Sequence, residues 1–134
     1  MPRLSVYFVR ASLVYLALGL TVGGLLLANK GVLFLPSIWA LLPAHIEFSF
    51  VGWMIQLALG IAFWILPRFP THPIRGKEQL SWFTFFLLNL GIWFVVLQSA
   101  VEAEWLTLAG RVLEQLGVGL FVVGNWLRIK PLGS

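Results

Sequence analysis

No cysteine occurs in the 134 residues. Its absence excludes disulfide staples, iron–sulfur clusters and c-type haem attachment through Cys-x-x-Cys-His. Charge is nearly as scarce, at 10% of residues, while 60% are hydrophobic and the mean hydropathy is +0.93. Soluble domains carry about 25% charged residues, so this composition is that of an integral membrane protein. Histidine occurs only twice. A zinc or copper site wants about three good ligands, so no copper is expected from one chain. No nucleophile elbow and no convincing triad points to hydrolysis. The net charge of +4 does not point to nucleic acid. The basic residues sit in short loops and at the termini, where membrane topology places them.

What is there is long apolar runs. They predict one all-α domain over 1–134, a four-helix transmembrane bundle with spans near 8–28, 44–66, 80–99 and 105–127. The first run follows Arg3 and Arg10 and could be read as a signal peptide. It is too long, and no small-x-small site precedes Asn29, so an uncleaved span is expected. Within it Gly19 and Gly23 form a GxxxG, expected to admit another helix of the bundle. Residues 29–43 are expected to be an interfacial loop, with Trp39 in the aromatic belt. The short link holding Glu102 and Glu104 makes the third and fourth spans antiparallel neighbours. Arg3, Arg10, Arg68, Arg75, Lys77, Arg128 and Lys130 gather on one side, opposite Lys30 and the two glutamates. The positive-inside rule then puts both termini in the cytoplasm.

The second span carries the candidate chemistry. At 1.5 Å per residue, Ala44 to Leu66 is about 35 Å long, enough for a core of about 30 Å. Counted at helical spacing from His45, one face collects Ser49, Gly52, Gln56 and Phe63, a small and polar stripe that should turn away from lipid. Glu47 falls on roughly the opposite side with Phe50, Met54 and Ile61. In the fourth span Arg111 and Glu114 are three apart and can pair. Ionisable groups inside a span usually have a partner or a task. For Arg111 the two readings are a structural ion pair and a two-pronged contact to a ligand carboxylate such as a haem propionate. For His45 they are a hydrogen bond to a nearby backbone carbonyl and axial ligation of haem iron, with Gly52 leaving room for the macrocycle. His72, between prolines, reads as a solvated loop residue.

The run His45-Ile-Glu-x-x-x-x-Gly52-Trp53, then Gly60-Ile-Ala-x-x-x-Leu66-Pro67-Arg68, resembles the second helix of haem–copper oxidase subunit I. The likeness is greatest to the cbb3-type and nitric-oxide-reductase branch and to NnrS proteins. In that superfamily the helix starts on the outer side with a histidine that ligates the low-spin haem. The resemblance implies b-type haem at His45, for electron transfer or gas and haem handling, and the cytoplasmic membrane of a prokaryote. The oxidases have many more helices and further histidines for a second haem and copper, which lack counterparts here. No complete haem–copper active site is therefore expected from this chain alone. The oxidase fold is built of four-helix arcs about a pseudo-threefold axis, so a four-helix unit implies self-assembly into a dimer or trimer. The rival expectation is a cofactor-free accessory or structural subunit of a respiratory membrane complex. A transporter or channel is the weakest reading, because no repeat or broken-helix pair is visible.

Overall fold

Prolines and one left-handed residue set the element boundaries of the computed structural model, which describes residues 1–33 and 35–129. Helix α1 (Arg3–Gly31) starts directly after Pro2. Helix α2 (Pro36–Ile65) opens at Pro36 with a 3-10 turn and passes through Pro43 in its first α turn, where a missing N–H costs little. It stops at Leu66, whose ψ of 143 is extended because Pro67 follows. Helix α3 (Glu78–Val101) ends at Glu102, whose φ of 56 is left-handed and whose N–H closes on the Gln98 carbonyl. Helix α4 (Glu104–Arg128) finishes in a 3-10 turn at Trp126–Arg128. Each of the four is long and apolar enough to cross a membrane.

The helices run further than the apolar runs suggested. Residues 36–43 are helical, not loop, because Pro36 and Pro43 both sit at helix-start positions. Lys130, counted with the basic flank, lies outside the described residues.

Glycines decide which helices pair. A Cβ on Gly19 would sit 2.7 Å from the Ser49 hydroxyl, and one on Gly23 would sit 2.5 Å from the His45 ring. From the other side, Gly52 and Gly60 face Tyr15 and Phe8 at 2.7 and 2.5 Å. The GxxxG of α1 therefore serves the α1–α2 contact inside the chain. Helices α3 and α4 meet backbone to backbone: a Cβ on Gly91 or on Gly110 would lie 2.7 Å from the other's carbonyl oxygen. Helix α3 joins the two pairs, through a Tyr15 hydroxyl that donates to Asn89 Oδ1 at 2.7 Å and a core of Phe8, Phe48, Leu88, Ile92 and Phe121. Thr84 donates to the Gly117 carbonyl and Asn125 to the Ser81 hydroxyl. Large apolar side chains stay exposed along all four helices, among them Leu27, Ile65, Phe86 and Val123.

Candidate functional site

Helix α2 is not regular through its middle. Phe48–Ile55 is a π-helical segment, with i→i+5 bonds, and such segments are frequent at functional sites.

The polar stripe turns inward, as expected, and the chain itself fills it. His45 Nδ1–H donates to the Gly19 carbonyl at 2.7 Å, which in the neutral ring leaves Nε2 as the bare nitrogen. Ser49 lies against Gly19, and Tyr15 occupies the space over Gly52. Gln56 is fully buried and donates a long 3.4 Å bond to Asn89. A haem does not fit on this face within one chain, because the room ascribed to Gly52 belongs to the Tyr15 side chain. His72 is exposed in the loop after α2.

Glu47 lies on the side of α2 opposite His45, and the structure adds its partner. Phe50, Met54 and Ile61 are exposed as the helical count placed them, but Glu47 is 1% exposed. It points to α4, where Arg111 Nη1 donates to its Oε2 at 2.7 Å. The same nitrogen donates to Glu114 Oε2 at 2.9 Å. One guanidinium thus holds two carboxylates from two helices, and the side chains of Glu47 and Glu114 are 1% and 9% exposed against 46% for Arg111. The expected Arg111–Glu114 pair is present, with Glu47 as a third member. Two carboxylates already lie on Arg111, which leaves it poorly suited to a third in a haem propionate. The remaining Oε1 atoms of Glu47 and Glu114 are buried without a hydrogen-bond partner among the described residues.

Arg128 was read as a flanking charge, yet it is 1% exposed. Its Nη2 donates to the Phe63 and Leu66 carbonyls and its Nε to the Pro67 carbonyl, at 2.8–3.1 Å. Its Nη1 bonds Asn125, and its guanidinium lies 5.0 Å from the Phe63 ring centroid. These carbonyls lie in the last turn of α2 and just beyond it, where the helix leaves acceptors unpaired, and a buried donor fork satisfies them. The signal for it was a basic residue at the end of an apolar helix; nothing in the local sequence said which helix end it caps.

Two arginines therefore fasten α4 to α2, Arg111 near one end and Arg128 near the other. Between them lies a groove of about 630 Å³. Its walls are Val51 and Ile55 from α2 and Val118 from α4, with Leu88 of α3 as floor. Arg111, Glu114 and Gln115 line its polar part. No group of three or more potential metal-ligating side chains occurs among the described residues.

No family model, no curated protein and no solved structure matches this chain.

Proposed function

We propose that the chain is a multi-pass protein of a prokaryotic cytoplasmic membrane, with four spans and both termini cytoplasmic. In this reading it is a cofactor-free helical subunit that packs against a respiratory membrane complex. The observation that carries the cofactor-free part is the filled face of α2: Gly19, Gly23 and Tyr15 of α1 take the volume beside His45, Ser49 and Gly52. Assembly with a partner is supported by Arg111, whose side chain stays 46% exposed despite its two carboxylates, about two turns inside α4, where a guanidinium partly open to lipid is costly. The resemblance of α2 to oxidase subunit I supports the respiratory context.

The absorption spectrum of detergent-purified protein tests it, oxidised and dithionite-reduced, after haem is supplied during expression. No Soret band is expected, and His45→Ala should leave assembly intact. A second reading, b-type haem ligated by His45 between copies in a dimer or trimer, is favoured by one observation. Nδ1 is occupied by the Gly19 carbonyl, which orients the ring and leaves Nε2 for a metal, the arrangement common to ligating histidines. Sharp reduced α and β bands that disappear in His45→Ala but persist in His72→Ala would establish that reading and overturn the first.

Sidedness is tested by labelling, which the absence of cysteine makes clean. In intact spheroplasts an impermeant maleimide should modify Ser37→Cys and spare Thr71→Cys. The reverse pattern would invert the topology.

A further inference from the structure

The groove between α2 and α4 is shaped for a small ligand. About 630 Å³ lies inside the range of about 300–1,000 Å³ that ligand sites span. Three helices contribute to it, with buried Leu88 beneath. Its polar and apolar parts are separated along α4. Arg111 and Gln115 are four apart on one face, and Gly119 lies about 12 Å from Arg111 along the helix axis. A Cβ on Gly119 would meet nothing within 4 Å, so the groove is open there.

The polar part selects the head of the ligand. Arg111 spends only Nη1 on its two glutamates, and its Nε and Nη2 make no hydrogen bond among the described residues. Together with the N–H groups of the exposed Gln115 amide, these free donors suit acceptor oxygens. An anionic head is disfavoured, because two carboxylates already lie on this guanidinium. That argues against the phosphate of a glycerophospholipid. Phe50, half-exposed at the same wall, offers an aromatic face for a flat ring. The apolar part takes a hydrocarbon chain.

We infer that this groove binds an isoprenoid quinone, with its ring carbonyls on Arg111 and Gln115 and its chain running past Ile55 and Val118. The inference rests on the membrane reading above and does not depend on the haem question.

Two variants test it without touching the ion pairs. Gly119→Trp puts an indole into open space, and Gln115→Leu removes one exposed donor. Protein purified in mild detergent from quinone-containing bacterial membranes is extracted with organic solvent, and quinone and phospholipid are quantified per chain. Binding of decylubiquinone to the delipidated protein is then titrated. Wild type should retain quinone in near-stoichiometric amount, and Gly119→Trp should bind decylubiquinone about tenfold or more weakly at unchanged thermal stability. Gln115→Leu should weaken binding by a smaller factor. Equal binding by wild type and Gly119→Trp would overturn the inference. So would a stoichiometric glycerophospholipid in place of quinone, or a wild-type dimer that Gly119→Trp dissociates, since the groove would then seat a lipid or a second copy. Release of the protein from membranes by alkaline carbonate would instead overturn the membrane reading, which separates the two failures.

Discussion

Arg111→Leu should destabilise the chain by about 3–5 kcal/mol, the cost of removing one partner from a buried charge group. Arg111 is the only cation bonded to Glu47 and Glu114 among the described residues, and both carboxylates are buried. Without it, two negative groups with unpartnered Oε1 atoms remain in an apolar setting. Unfolding in mixed detergent micelles reads the loss. The same change in a Glu47→Gln, Glu114→Gln background should cost much less, because no uncompensated charge is left behind. A full-sized loss in that background would show that Arg111 contributes packing of its stem and not charge compensation. The distinction matters for the groove, whose polar part is organised by the same guanidinium.

Arg128→Leu is expected to have an effect of similar size, about 3–5 kcal/mol, for a different reason. Here the partners are backbone carbonyls of Phe63, Leu66 and Pro67, together with Asn125. Leucine would leave the Phe63, Leu66 and Pro67 carbonyls without this donor fork. Arg128→Lys should recover only part of the loss, since an ammonium cannot place three nitrogens in a planar fork. Full recovery by lysine would mean that the charge over the Phe63 ring, 5.0 Å away, and not the fork geometry, is the stabilising element. Thermal unfolding of the three proteins in one detergent orders them directly.

The two arginines bear on function as much as on stability. Helix α4 packs along α3 through Gly91 and Gly110, and it reaches α2 through charged fasteners rather than through glycine contacts. Fastened near both ends and open between, the α2–α4 seam keeps a cleft that side-chain packing would otherwise close. Arg111 belongs to both the fastener and the cleft, which is why the quinone test uses Gly119 and Gln115 instead.

The number of helices and their apolar character could be read from composition and run length, because a segment of about twenty apolar residues has few other uses. The inward polar stripe of α2 was equally legible: His45, Ser49, Gly52 and Gln56 follow from helical spacing alone, and small and polar groups are not left facing outward. The Arg111–Glu114 pair needed only an i,i+3 count. What the stripe touches was not legible. That Tyr15 fills the space over Gly52 depends on how α1 crosses α2, and the crossing is set by Gly19, Gly23, Gly52 and Gly60 acting together. Glu47 does lie opposite His45, as counted, but what it meets was not legible, because its partner is a cation 64 residues away. Arg128 lay outside sequence reasoning for the same cause, since its acceptors are 61–65 residues distant. Period and hydropathy are properties of one helix and can be counted along the chain. Pairings between buried charges, and the groove they hold open, are properties of two helices at a fixed distance and rotation, and only the packed structure decides those.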